Sequence, residues 1–283
     1  MGDAGEALAN GGLCYGLIHG RWGLPALGLR GAALATVLVW SAAALALMAL
    51  LHAGGARRRL VGWTRPRRTL LRSMLRLGLP IAATFAVETG LFLAVALLIG
   101  LLGPTALAAQ QVALNTLTVA FMIPLGIAQA ANVRVAHRVG AGDRAGARRA
   151  GLVAIALGAG FEGAAALVGV LAPRFVVGLY LAPRDEAFAV AVGLLGVAAA
   201  FQVADGVQCV AAGALRGLGD ARVPFALATL GYWGVGFPTV WWLTMRAGAG
   251  TAGAWWGLAA SLTVVAMLLT RRFLQRTRPG APR

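Results

Sequence analysis

Residues 78–102 read GLPIAATFAVETGLFLAVALLIGLL, and Glu88 is the only charged side chain in this run. An apolar helix of roughly 20 residues crosses the hydrocarbon layer of a bilayer, which is about 30 Å thick. A shorter apolar stretch, Leu13–Ile18, is too short to cross alone, and we interpret it as the end of another helix. Six further runs have suitable length, near residues 31–53, 107–131, 151–172, 187–214, 224–245 and 251–270. The sequence therefore predicts an all-α membrane protein with about seven transmembrane helices.

The composition agrees with a chain that is embedded in lipid. Hydrophobic residues make up 59% of it and charged residues 12%, whereas about 25% of the residues in an average soluble domain are charged. The net charge of +16 raises the question of nucleic acid, because clustered arginines neutralise phosphates. These arginines instead lie between the apolar runs, so we predict a bilayer and no nucleic acid as the partner. Cys14 and Cys209 lack a C-x-x-C spacing, which indicates neither a disulfide framework nor a metal site.

The arginines also predict an orientation. When the seven spans are threaded through a bilayer, Arg21, Arg30, Arg174, Arg184 and Arg246 fall on one side. Cytoplasmic loops carry an excess of basic residues, so the other side is predicted to be cytoplasmic. We therefore expect a multi-pass protein of the bacterial cytoplasmic (inner) membrane. The remaining 20 of the 25 arginines share the cytoplasmic side, namely Arg57, Arg58, Arg59, Arg65, Arg67, Arg68, Arg72, Arg76, Arg134, Arg138, Arg144, Arg148, Arg149, Arg216, Arg222, Arg271, Arg272, Arg276, Arg278 and Arg283.

A short pattern occurs twice. The letters G-x-x-G-A open a hydrophobic run at residues 28–32 and again at residues 250–254. Two copies could be chance in a chain with 40 glycines, or they could mark equivalent helices of an internal repeat, which is common in secondary transporters. If they are equivalent, the second to seventh spans form one complete six-helix unit.

Three of the nine acidic residues lie inside predicted spans: Glu88, Glu162 and Asp205. Each is about 15 Å deep, at 1.5 Å of rise per residue. A carboxylate at mid-bilayer costs about 2.5–3.5 kcal/mol on insertion scales, and such residues usually face a cavity, a partner or a proton path. The alternative is that each acid only bonds to a neighbouring helix. We predict a shared polar site for Glu88 and Asp205, while the role of Glu162 rests on its depth alone.

Three stretches carry a resemblance to a known family. The first is LGLPI at residues 77–81, followed by Glu88. The second runs from AQQVALN through FMIPLG over residues 109–126 and closes with VRV at residues 133–135 and GAGD at residues 140–143. The third runs from FQVADG to GALRGLGDARVP over residues 201–224. In this order and spacing they resemble the C-terminal lobe of the multidrug and toxic compound extrusion (MATE) family.

The resemblance implies an architecture. Residues 61–283 would form a six-helix C-terminal transporter lobe, and residues 1–60 would be a remnant of the N-terminal lobe that contains its last helix. The family has twelve helices in two lobes, so an N-terminal lobe would be missing. The chain would then be a fragment, a mis-started reading frame or a half-transporter.

The resemblance also implies a function. We expect an antiporter, coupled to H⁺ or Na⁺, that exports drugs or other xenobiotics, without an enzymatic activity or a cofactor. Glu88 and Asp205 match the family's acids for cation coupling and substrate binding, with Na⁺ as a possible ion at both. Phe201 stands where related transporters can have tyrosine, and its ring could stack on an aromatic or cationic drug. The other predicted binding residues are Thr84, Asn115, Gln202 and Gln208.

Two other functions stay open. A lipid-linked saccharide flippase of the same superfamily would need a basic groove, and the sequence indicates no arginine inside the membrane for it. An inactive membrane remnant would use the buried acids for packing only. An enzyme is the least favoured class, because the chain lacks G-x-S-x-G and H-E-x-x-H and its three histidines are scattered.

Overall fold

The computed structural model describes residues 2–53 and 68–278. The chain divides into two compact units, Met1–Arg67 and Arg68–Arg283. Of the predicted cytoplasmic arginines, Arg57, Arg58, Arg59, Arg65, Arg67 and Arg283 lie outside the described residues.

The first unit contains two helices, α1 at Gly2–His19 and α2 at Leu29–Ala53. Helix α1 is longer than the apolar stretch Leu13–Ile18 suggested, because helical hydrogen bonding continues through the small residues before it. Alanine is the best helix former and is frequent between residues 4 and 9.

The second unit consists of helices joined by short turns. Its first four helices are α3 at Arg68–Gly100, α4 at Pro104–Gly140, α5 at Arg144–Leu171 and the short α6 at Pro173–Gly178. Helix α7 at Glu186–Gly217 follows. A continuous helical segment follows, in which α-helical and π-helical parts alternate: α8 at Arg222–Thr229, π1 at Leu230–Gly236, α9 at Phe237–Trp241 and π2 at Trp242–Arg246. The final helix of the unit is α10 at Gly250–Arg276.

Six of the described helices are long and apolar enough to cross a membrane: α2, α3, α4, α5, α7 and α10. The apolar run near residues 224–245 forms the segment from α8 to π2, so it is helical but is not one regular α-helix. Several helices also extend beyond the predicted spans. Helix α4 has 37 residues, or about 55 Å at 1.5 Å per residue, because its hydrogen bonding continues past the apolar run into the arginine-bearing end.

The turn GAGD at residues 140–143 joins α4 to α5. Asp143 caps α5 by accepting a hydrogen bond from the backbone N–H of Gly146 at 2.7 Å. Its other carboxylate oxygen lies 3.1 Å from Nη1 of Arg138. This capped turn fixes α4 and α5 as antiparallel neighbours.

Helix α7 is the central helix of the second unit and packs against α4, α5 and α10. Glycines allow these close contacts. A Cβ built on Gly217 would lie 2.6 Å from the backbone oxygen of Asn132 on α4, and a Cβ on Gly206 would lie 3.0 Å from that of Gly158 on α5. Small residues of this kind let membrane helices approach closely. The contacts hold α7 where its polar residues can face α3.

Candidate functional site

A single amide joins the two predicted acids. Nε2 of Gln208 donates hydrogen bonds to Oε1 of Glu88 at 3.0 Å and to Oδ1 of Asp205 at 3.1 Å. Glu88 lies on α3 near its middle, and the other two residues lie one turn apart on α7. The structure thus brings together carboxyl groups that are 117 positions apart in the sequence, from Glu88 to Asp205.

Tyr232 completes this network. Its hydroxyl donates to Oε1 of Gln208 at 2.7 Å, and the tyrosine is fully buried. The amide therefore accepts through its oxygen and donates through its nitrogen to both acids. The reverse orientation would place the amide oxygen against carboxylate oxygens, which accept hydrogen bonds when ionised.

The π-helical segment π1 positions Tyr232. Gly231 and Gly236 pack directly against Val265 and Ser261 of α10, and the Ser261 hydroxyl donates to the Gly231 carbonyl at 3.1 Å. The indole N–H of Trp233 donates to the Val87 carbonyl of α3 at 3.1 Å. Wide π-helical turns are rare and frequently occur at functional sites.

Glu88 and Asp205 line a common cavity of about 410 Å³. Its walls come mainly from α3 and α4, and Asp205 is the contribution of α7. Polar side chains of α4 line the cavity too, and the Gln111 amide donates to Oδ1 of Asn115 at 3.4 Å. The remaining wall is largely apolar and includes Phe85, Phe92, Leu114 and Phe121.

A second, smaller cavity of about 40 Å³ adjoins Glu88 on the side of the arginine-bearing helix ends. It is lined by Thr84, Gln208 and Arg216 among others, and the Arg216 guanidinium lies 5.7 Å from the Phe85 ring centroid. The sequence assigned Arg216 only to the cytoplasmic group of arginines and gave it no place in the site. Its backbone lies in the last turn of α7, but its side chain lines the same cavity as Glu88.

The other predicted binding residues are distributed unequally. Thr84 lines the smaller cavity and donates its hydroxyl to the Pro80 carbonyl at 2.8 Å, and Asn115 lines the larger cavity. Phe201 is buried and packs on Trp255, with ring centroids 5.7 Å apart. Gln202 is also buried. Neither Phe201 nor Gln202 lines the two cavities described above, so the structure separates them from Glu88 and Asp205.

The sequence pattern of the family MatE matches residues 80–242, which is more than half of the chain. The chain belongs to the MatE family. The matched region contains Glu88, Asp205, Gln208 and Tyr232, so the whole network lies in the part that defines the family. Membership in MatE confirms the resemblance noted in the sequence and the prediction that the chain is not an enzyme.

Two bacterial relatives of this MatE chain have similar descriptions. The multidrug resistance protein NorM of Burkholderia vietnamiensis is 52% identical over 272 residues, which cover 95% of this chain and 59% of the relative. A probable NorM of Pseudomonas putida is 45% identical over 264 residues, covering 91% of this chain and 57% of the relative. The chain thus spans less than two thirds of the length of these curated relatives.

A solved structure has a similar fold. The crystal structure of a eukaryotic MATE transporter superposes with a TM-score of 0.81 at 22% identity, covering 98% of this chain and 64% of that one. At this identity the similarity shows the fold. It confirms the predicted all-α membrane architecture of MATE type.

Sequence reasoning missed two residues of the candidate site, Tyr232 and Arg216. Tyr232 is one of three tyrosines in the chain, and its hydroxyl within an apolar run was a signal that could have been used. Arg216 could not be distinguished from the arginines that mark the cytoplasmic side. Among the residues that the structure describes, no group of three His, Cys, Asp or Glu side chains could hold a metal ion.

Proposed function

We propose that this chain takes part in cation-coupled antiport that exports drugs or other xenobiotics across the cytoplasmic membrane of a bacterium. The observation that carries the proposal is the Glu88–Gln208–Asp205 arrangement, in which two membrane-embedded carboxyl groups share one cavity. Membrane carboxyls of this kind usually mark ion or substrate pathways.

The Gln208 amide occupies the position between the carboxyls that a cation would take. Its two N–H groups balance the negative charge of Glu88 and Asp205 only in part, since an amide is neutral. A proton or a small cation that binds either carboxyl therefore competes with Gln208. A cationic drug in the same cavity competes in the same way, which gives the mutual exclusion that antiport requires.

Either coupling ion fits this chemistry. A proton needs only a carboxylate oxygen. Na⁺ prefers several oxygen ligands, as hard cations do, and it would use both carboxylates together with the Gln208 amide oxygen or the Tyr232 hydroxyl. Coordination by the amide oxygen requires a rotation of Gln208 that proton binding does not require.

The substrate class follows from the larger cavity. Its volume of about 410 Å³ falls within the range of roughly 300–1,000 Å³ typical of small-molecule sites. Aromatic rings and two carboxyls line it, and this combination favours an organic cation through charge attraction and cation–π contact. We propose small, organic, cationic compounds as substrates.

The test uses the chain reconstituted in proteoliposomes with an imposed Na⁺ or proton gradient and a fluorescent cationic dye. Glu88→Gln and Asp205→Asn are each expected to reduce gradient-driven dye transport at least tenfold. Glu186→Gln, at an exposed carboxyl near the start of α7, is the matched control and should transport like the wild type. Unchanged transport in both site variants would remove the carboxyls from the mechanism. If the site variants lose dye transport under only one of the two gradients, the ion of that gradient is the coupling ion.

One observation supports the flippase as a second candidate function. Arg216 lines a cavity with Glu88 and could contact a phosphate of a lipid-linked saccharide. Two carboxyls in the adjoining space oppose such an anion, so the antiporter remains the main proposal. A wild-type chain that moves no dye under either gradient, but moves a lipid-linked saccharide in an Arg216-dependent manner, would reverse this order. Movement of neither compound would support the inactive remnant.

A further inference from the structure

A groove of about 830 Å³ lies between α4 and α5, away from the carboxyl site. At one end it is lined by Arg134, His137, Arg138 and Arg149. This end contains the capped turn between the two helices. The groove therefore opens at the arginine-rich surface of the second unit.

The rest of the groove is apolar. Its lining continues along α5 through Val153 and Leu157, and the exposed fractions of these side chains are 54% and 59%. Leu157 lies eight residues from Arg149, or about 12 Å along the helix axis. The groove thus has a basic mouth and an apolar floor that extends toward mid-membrane.

Two of the arginines at the mouth have no acidic partner within residues 2–53 and 68–278. Arg138 pairs with Asp143 at 3.1 Å, and the same carboxyl caps α5 through Gly146. Among the residues that the structure describes, Arg134 and Arg149 form no ion pair. The charges of Arg134, Arg138 and Arg149 against that of Asp143 sum to +2 at the mouth.

We propose that this groove binds an anionic phospholipid of the surrounding membrane. The phosphate lies between Arg134 and Arg149, whose guanidinium groups can each donate two hydrogen bonds to it. One acyl chain follows Val153 and Leu157. Basic pockets between helices at the cytoplasmic side are typical sites for anionic headgroups.

Both halves of the groove are needed to select this ligand. A soluble phosphate would use the arginines but leave the apolar floor exposed. A zwitterionic phospholipid would cover the floor but bring no net negative charge to the mouth. Only an anionic lipid satisfies the charge and the apolar surface together.

The first test compares phosphatidylglycerol with phosphatidylcholine added to the purified chain in detergent. Thermal unfolding and native mass spectrometry report stabilisation and the number of bound lipids. We expect phosphatidylglycerol to raise the unfolding temperature and to remain bound. The double variant R134Q/R149Q should weaken this binding by roughly tenfold or more, because juxtamembrane arginines contribute strongly to anionic lipid binding.

The matched control for charge is R222Q/R271Q. It removes two exposed arginines from the same predicted side but outside the groove, so binding should be unchanged. Equal losses in the two double variants would mean that only the overall charge matters, and this would overturn the proposal.

A second test fills the groove without changing charge. Val153→Phe places a ring on the apolar floor and should reduce phosphatidylglycerol binding, whereas Leu97→Phe, at an α3 side chain that is 67% exposed, should not. Inorganic phosphate alone should give little stabilisation. If inorganic phosphate stabilises as much as the lipid and Val153→Phe binds normally, the site is one for a free anion and the lipid proposal is wrong. Neither arm depends on transport, so a failed antiport proposal leaves this test intact.

Discussion

Glu162 is the acidic residue of the membrane region that the network leaves out. It lies on α5, its side chain is 1% exposed, and neither carboxylate oxygen has a hydrogen-bond partner among the described residues. The Gln202 amide of α7 lies near enough to interact with this carboxyl, but no hydrogen bond of 3.5 Å or less joins the two side chains. The side chain packs instead on Gly206, where an added Cβ would come within 2.6 Å of the Glu162 Cγ.

A buried polar group without partners destabilises the fold, so we predict that replacing Glu162 is favourable. Glu162→Met keeps the unbranched shape that fits against Gly206 and removes the unpartnered oxygens. The free energy of unfolding should rise by about 1–3 kcal/mol, the usual penalty for an unsatisfied buried group. Thermal or denaturant unfolding of the purified chain measures it.

The control for this change is Glu186→Met, at an exposed carboxyl. It should alter the free energy of unfolding by less than about 0.5 kcal/mol, as is usual for surface positions. A clear loss of stability in Glu162→Met would contradict this prediction and show that the carboxyl makes a favourable interaction in the folded chain.

Counting residues along each span placed all three membrane acids at similar depth, but depth alone did not separate them. The distinction depends on which helix each acid faces. Gln208 reaches Glu88 across 120 positions of sequence, and no local pattern encodes that approach. Phe201 illustrates the same limit, because its position one turn before Asp205 placed it near the site while its actual partner is Trp255 on α10.

At the scale of helices, the repeated G-x-x-G-A pattern has a common structural basis. Gly28 and Gly250 both adopt positive φ, +55° and +56°, at the points where the chain enters α2 and α10. The second glycine of each copy lies against the backbone of the preceding helix: Gly31 against Leu17, and Gly253 against Leu243. The pattern thus encodes the same turn and close contact twice, which favours an internal repeat over chance.

Helix α7 depends on a further close contact, and this gives the second prediction. A Cβ on Gly213 would come within 2.9 Å of the Ala128 Cα on α4. Ala128 contributes backbone atoms to this contact, and backbone atoms cannot move aside as the end of a flexible side chain can. Gly213→Val should therefore lower the free energy of unfolding by about 1–3 kcal/mol, the typical cost of overpacking. It should also impair transport, because the contact positions Gln208 one turn and a half earlier on α7.

Gly126→Val is the matched control, since nothing lies within 4 Å of a Cβ at that position of α4. Unfolding measured in the same detergent should distinguish the two variants clearly. Equal stability of both would show that α4 and α7 do not pack as closely as described.

The apolar runs predicted the membrane helices because burial in lipid requires continuous apolar sequence. They could not predict π1, whose wide turn depends on Gly231 and Gly236 meeting α10. They also underestimated α4, because a helix does not have to end where its sequence becomes polar. Composition therefore fixes where a chain crosses the membrane, while helix ends and helix type depend on tertiary contacts.

At the scale of the whole second unit, charge is segregated between its two ends. Asp220, in the turn after α7, accepts a hydrogen bond from Nε of Arg272 and lies 2.9 Å from its Nη2 and 3.5 Å from Nε of Arg276. These pairs join the C-terminal end of α10 to the turn between α7 and α8. The turn between α4 and α5 lies at the same end, because α4 and α7 are neighbours that both run toward it.

This segregation predicts which turns face the cytoplasm. Ala141 lies in the turn at the arginine-rich end and Ala182 in the turn before α7 at the opposite end, and both are exposed. In a Cys14→Ser background, with buried Cys209 retained, Ala182→Cys should react with a membrane-impermeant maleimide on intact spheroplasts. Ala141→Cys should react only after permeabilisation, because the arginine-rich end of membrane helices normally stays on the cytoplasmic side. Reversed labelling would place the phospholipid groove at the outer surface and contradict the predicted orientation. Labelling of both positions on intact spheroplasts would mean that the spans lack a single orientation.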